Sequence, residues 1–198
     1  MIPVSQPIAE PTEFEEKCRK KGNDWLLRNP TGRPSDYWSP FRLELADGFV
    51  DRCGYGGMYI ASGTVDHFVS CDEDRSSAYE WSNYRYLDNW VNSSKSSKLS
   101  KDLLDPFEVG EGWFEVILPS LQLVMTDAIP PEYRDRAEST LRLLPLVHDE
   151  RIIRGRREWL RMYDNNEIDL VGLRRKAPLI AAAVEKRAVL EERERLNT

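Results

Sequence analysis

Thr64-Val65-Asp66-His67-Phe68 is the stretch on which the reading of this chain turns. The 198 residues contain two histidines, and one of them follows an aspartate at the end of a run that favours β-structure. Successive residues on a strand point to opposite faces, so Asp66 and His67 can serve one site only where the strand bends or at its edge. Downstream come Trp81-Ser82-Asn83 and Val91-Asn92-Ser93-Ser94-Lys95. An acid, an imidazole, two amides and an ammonium within a short span make up a set suited to phosphodiester hydrolysis. That chemistry needs a base to deprotonate water and positive charge for the pentacovalent phosphate. Histidine titrates near neutrality and suits the base. A hard divalent ion takes carboxylate, amide and water oxygens.

Outward from this stretch, the pattern changes character several times. Residues 12–21 read as a short helix with Thr12 and Glu15 spaced as a capping box, extended by Asp24-Trp25-Leu26-Leu27 until Asn29-Pro30-Thr31-Gly32 breaks it. Tyr37 to Ala46 forms a second helical reading, ended by Gly48. Residues 49–70 read as two short strands around the turn Cys53-Gly54-Tyr55-Gly56-Gly57. Cys71 to Tyr79 is polar and reads as a loop. Gly112 to Thr126 reads as two strands turning at Pro119-Ser120. Tyr133–Leu144, Asp149–Tyr163 and Ala177–Leu196 carry apolar residues at helical spacing. The reading is thus one α+β domain over 1–198. Its parts are a helical N-terminal region (1–48), a central core (49–105), and a strand pair with helices (106–198).

Composition bounds the classes. Forty percent hydrophobic content and six tryptophans support a packed core. No window reaches the length of a membrane span, and the N-terminal residues lack a signal-peptide pattern, so a cytoplasmic protein with no membrane association is expected. Cys18, Cys53 and Cys71 are too few for a disulfide framework. The net charge of −6 opposes nucleic-acid binding by bulk electrostatics. Its distribution is uneven. Residues 105–130 hold Asp105, Glu108, Glu111, Glu115 and Asp127 without a Lys or Arg, whereas residues 131–198 have a slight basic excess. Phosphate contact must therefore be local or aided by a partner.

Taken together, the three quoted segments resemble the HNH endonuclease motif of the ββα-metal fold, over roughly residues 50–101. The resemblance implies an α+β ββα-metal core, with His67 as general base and Asp66 and Asn92 as ligands of one Mg²⁺ or Mn²⁺. It further implies that Asn83 braces the loop between the strands and that Lys95 lies near the scissile phosphate. Many relatives carry two CxxC pairs around a structural zinc. Here Cys53 retains one thiol, while Gly56, Asp88 and Val91 occupy the other three positions, so no structural zinc is expected. Tyr55, Tyr59, Trp81, Tyr84 and Trp90 would pack the hairpin instead, with base stacking as their alternative role. Asp88 and Asn89 either assist the metal or cap the helix.

Lys95, Lys98 and Lys101 either touch the DNA backbone or form a solvated linker. Arg154 and Arg157, with Arg161, share a helix face that serves phosphate contact or is an ordinary charged surface. His148 lacks such a context and is assigned no role. The layout is also similar to small nuclease subunits of Septu-type and retron-linked anti-phage systems, which implies DNA as substrate and an ATPase as partner. Two alternatives stand beside the nuclease: a catalytically inactive HNH-fold binding or scaffold subunit of a protein–nucleic acid complex, and a metal-independent helical interaction protein.

Overall fold

The computed structural model describes residues 1–4 and 8–196 and is a mixed α+β architecture with two small antiparallel sheets. A π-helical turn (Glu15–Arg19) runs directly into α1 (Lys20–Arg28), and a 3₁₀ turn (Ser39–Phe41) leads into α2 (Arg42–Gly48). The first sheet pairs β1 (Thr64–His67) with β2 (Tyr84–Leu87), followed at once by α3 (Asn89–Lys95). The second pairs β3 (Phe114–Ile117) with β4 (Gln122–Met125). Four helices close the chain: α4 (Pro131–Leu143), α5 (Glu150–Asp164), α6 (Leu170–Lys176) and α7 (Pro178–Leu196).

Several local expectations need correction. Thr12 does not cap the first helix; Phe14 occupies the N-cap, with no side-chain cap, and its amide bonds the Pro11 carbonyl at 2.9 Å. The second helix starts later than Tyr37, because Pro40 sits in a 3₁₀ turn that precedes it. The expected hairpin around Cys53–Gly57 shrinks to one bridge between Arg52 and Tyr59. The Tyr59 amide is instead drawn to the Lys176 carbonyl at 2.7 Å, at the end of α6. The strand partner of β1 lies beyond residues 68–83, in the aromatic run Tyr84-Arg85-Tyr86-Leu87. All four residues of β2 are buried, so it lacks the alternation that betrays a half-exposed strand. No sequence signal marks α6, which Asp169 caps by accepting from the Gly172 amide at 2.7 Å.

Two hydrophobic clusters meet at the first sheet. One gathers Phe14, Cys18, Trp38, Phe41 and Leu45 from the N-terminal region, joined by Val65, Tyr84 and Tyr86 of the strands and by Tyr79 between them. The other takes Leu87 and Val91 into the core formed by β3, β4 and the C-terminal helices. Aromatic rings dominate the first cluster: Phe14 meets Phe41, Trp81 and Tyr84 edge-on at 5.1, 5.2 and 5.7 Å. Such pairs contribute about 0.5–1.5 kcal/mol each beyond area burial. Gly22 is required here, because a Cβ at that position would stand 2.2 Å from the Tyr79 ring. Arg85, itself buried, ties β2 to the segment after α3, donating through Nε to Asp105 at 2.6 Å and stacking on Phe107 at 3.8 Å.

The surroundings of Cys53 are well defined. Cys53 is buried, and its Sγ accepts from the Gly56 and Asp88 amides, each at 3.3 Å. Those two residues occupy positions compared above with the zinc-binding cysteines of HNH endonucleases. One sulfur thus joins the glycine turn to the β2–α3 junction through hydrogen bonds. Val91, the fourth position, packs in the core with no exposure.

Candidate active site

The strand register sets Asp66 opposite Arg85 and His67 opposite Tyr84. Asp66 is 4% exposed and His67 is half-buried, yet both line one open cleft of about 1140 Å³, and Asn92 lines it too. The three residues come from the end of β1 and from α3, and the β1–β2–α3 order makes them neighbours. Asp88 begins α3 by accepting from the Trp90 amide at 2.8 Å and the Val91 amide at 3.4 Å, which fixes where the helix starts. Asn92 and Lys95 then fall on one helical face.

Lys95 is fully buried. Its Nζ donates to the His67 carbonyl at 2.7 Å and pairs with Asp66 Oδ1 at 3.1 Å. Expected near the scissile phosphate, it is turned inward onto the carboxylate instead. The second carboxylate oxygen, Asp66 Oδ2, is buried with no hydrogen-bond partner among the described residues. An orphaned anionic oxygen in such a place is costly unless something positive meets it. Burial pushes the Asp66 carboxyl up to about 6, and the Lys95 ammonium restrains the rise.

His67 is held by its other neighbours. Its Nε2 lies 2.8 Å from the Ala78 carbonyl, which can only accept, so Nε2 carries the proton and neutral His67 keeps its lone pair on Nδ1. The Tyr84 hydroxyl donates to the same carbonyl at 2.9 Å. Trp38 and Tyr84 meet the imidazole edge-on at 4.5 and 5.0 Å. Burial is the main cause that lowers its proton affinity to about 4, and the positive charges of Lys95 and Arg33 add to the effect. The ring is therefore neutral at pH 7, the form a general base needs.

Asn83, 7% exposed, ties the segment between the strands. Its Oδ1 accepts from the Val69 amide at 2.8 Å, and its Nδ2 donates to the carbonyls of Val69 at 3.0 Å and Ser77 at 3.1 Å. That geometry fixes the path of residues 68–83 and so the position of the Ala78 carbonyl against His67.

The donor set for a metal can be tested against these contacts. Asp66 Oδ2 is unpartnered, and the Asn92 side chain makes no hydrogen bond to the described residues. One carboxylate oxygen, one amide oxygen and an open cleft fit the oxygen preference of Mg²⁺, which keeps several waters. Among the described residues no group of three or more His, Cys, Asp or Glu side chains converges on a metal position. An ion at Asp66 would thus depend on amide, water and substrate oxygens.

The remaining expected contacts lie elsewhere. Lys98 donates to the Ser94 carbonyl within its own segment. Arg154 and Arg157 are exposed on α5 but do not line the cleft, and Arg161 is clamped by Glu158 and Glu167. Trp90 is 39% exposed, bonds Asp149 through Nε1 at 3.1 Å, and carries Arg151 over its ring at 3.8 Å. His148 bonds Gln122 on the surface.

Sequence reasoning does not find the N-terminal part of the cleft lining, Gly32, Arg33, Asp36 and Trp38. The breaker Asn29-Pro30-Thr31-Gly32 marks that loop, and nothing local says what it faces. Among the described residues no helix is long and apolar enough to cross a membrane. Compared with known proteins, the chain matches no family model, no curated protein and no solved structure.

Proposed function

We propose that this chain is a metal-dependent, HNH-type endonuclease that hydrolyses phosphodiester bonds, with DNA as the substrate. The observation that carries the reading is the meeting of Asp66, His67 and Asn92 on one cleft, together with a buried Asp66 carboxylate oxygen that has no hydrogen-bond partner among the described residues. Asp66 and Asn92 would hold one Mg²⁺ or Mn²⁺. When bound, that ion supplies positive charge for the scissile phosphate and the leaving 3′ oxygen. His67 accepts a proton from the attacking water at Nδ1, and the Ala78 carbonyl holds the resulting imidazolium through Nε2–H. The negative charge of a phosphate beside the ring raises its proton affinity toward the range a base needs. Asn83 and Tyr84 act on His67 by fixing the loop and the carbonyl, and Lys95 holds the orientation of the Asp66 carboxylate.

The acidic net charge accords with a subunit that relies on a partner to present DNA, and the layout favours an ATPase partner in anti-phage defence. One observation favours a second reading, an inactive scaffold: the proton affinity of His67 is lowered well below neutrality. A plasmid-nicking assay in Mg²⁺ or Mn²⁺, alone and with candidate ATPases, decides between them. Nicking that is lost in His67→Ala supports the nuclease. Nicking that persists unchanged in His67→Ala would sink the catalytic assignment.

A further inference from the structure

A polyanion entering this cleft meets Asp36, Asp72, Glu73 and Asp74 on its walls, so a cation has to receive it. The other basic side chains at the site are already committed to the protein. Lys95 is buried on Asp66 and on the His67 carbonyl. Arg75, which also lines the cleft, donates to the Gly32 carbonyl and, at 2.8 Å, to the Asn29 carbonyl. Arg33 is different. It is exposed, lines the same cleft, and makes no hydrogen bond or ion pair with the described residues. Its charge nonetheless reaches His67.

The loop that carries Arg33 is built to hold it in place. Gly32 has φ +87°, a conformation open to glycine at little cost, and it turns the chain at the cleft rim. Pro34 follows and restricts Arg33 to extended backbone. Arg75 staples the carbonyls on the N-terminal side of the turn. A guanidinium presented this way, with all five N–H donors free, matches phosphate oxygens bidentately.

We propose that Arg33 binds the phosphodiester backbone of the substrate, in the cleft that it lines together with Asp66 and His67. The inference rests on the nuclease reading for its substrate class. It assigns the phosphate contact to the N-terminal loop rather than to Lys95 or to the arginines of α5.

The test is fluorescence-anisotropy binding of a labelled DNA duplex to full-length protein carrying His67→Ala, so that the probe stays intact, with and without Arg33→Gln. Arg33→Gln is expected to weaken binding roughly tenfold, the cost of one charge-assisted contact. It should also lower the slope of log K against log salt by about 0.9, one phosphate's worth, so that affinity falls roughly three- to fourfold less between about 50 and 200 mM salt. Arg33→Lys should recover part of the affinity. Arg187→Gln removes the same charge from α7, where Arg187 pairs with Asp164, and should leave binding unchanged.

Equal affinities for the proteins with and without Arg33→Gln would overturn the inference, as would equal losses in Arg33→Gln and Arg187→Gln. Plasmid nicking by the unsubstituted chain separates the two readings. Nicking that is indifferent to Arg33→Gln refutes the Arg33 contact and leaves the nuclease standing. Absent nicking with Arg33-dependent binding refutes the nuclease and leaves the contact.

Discussion

Replacing Lys95 by methionine removes the ammonium and keeps most of the apolar stem. Its partner cannot move into water: the two side chains are 1% and 5% exposed, and Asp66 Oδ2 already lacks a hydrogen bond. Breaking a buried pair by deleting one member costs about 3–5 kcal/mol, since the other charge is left uncompensated. In a chain of this size each kcal/mol lowers the melting temperature by roughly 2–4 °C, so Lys95→Met should melt about 6–20 °C below wild type. Asp66 can escape part of that cost by taking up a proton. Its folded-state value, already raised to about 6 by burial, would rise further without Lys95. A carboxyl whose folded value lies above the unfolded one binds more protons when folded, so stability falls as pH rises through that window. The deficit of Lys95→Met should therefore be larger at pH 8 than at pH 5. The double variant Lys95→Met/Asp66→Asn removes the stranded charge and should recover all but about 1–2 kcal/mol, the residue being the lost bond to the His67 carbonyl. Urea and thermal denaturation followed by tryptophan fluorescence and circular dichroism measure all three proteins as a double-mutant cycle. A Lys95→Met loss below about 1 kcal/mol, or a double variant no more stable than the single, would refute the idea that the ion pair holds Asp66 in place.

Two further outcomes follow from the same geometry. His67 has a folded-state value lowered to about 4 against an ordinary 6.5, so between those limits the unfolded chain binds more protons. Its contribution to stability is complete above pH 6.5 and is lost as the pH falls toward 4. Denaturation midpoints of His67→Asn should fall less steeply than wild type over that range, and parallel curves would contradict the assignment. The hub around Cys53 offers a second check. A Cβ at Gly56 would sit 3.5 Å from Cys53 Sγ, and Asp88 already reaches that sulfur through its amide. The triple variant Gly56→Cys/Asp88→Cys/Val91→Cys should bind one Zn²⁺ and melt higher with zinc than without it. Failure to take up zinc, with the fold retained, would show that the three positions do not converge with Cys53 into a zinc site.

Much of the secondary structure was legible because it rests on local physics. The strand pair 114–125 shows as two β-favouring runs around Pro119-Ser120, and α4, α5 and α7 show as apolar residues at helical spacing. The short helix α6 was not, since its stability comes from the Asp169 cap and the Leu173 contact rather than from a long amphipathic face. The pairing of β1 was not legible either. The glycine turn at 53–57 is the stronger local hairpin signal, but the strand is claimed by Tyr84–Leu87 from across residues 68–83, where burial on both faces erased the alternation.

What the sequence by itself determined is the order of the chemical groups, Asp66-His67, then Asn83, then Asn92 and Lys95, and the helix and strand periods around them. Chain order carries no information about which group faces water. Only the tertiary structure decided that Lys95 is buried on Asp66, that the second Asp66 oxygen is left buried without a partner among the described residues, and that the loop bearing Arg33 lines the same cleft. The physical reason is that a buried charge must find its counter-charge wherever packing brings one, and packing is set by contacts distant in sequence.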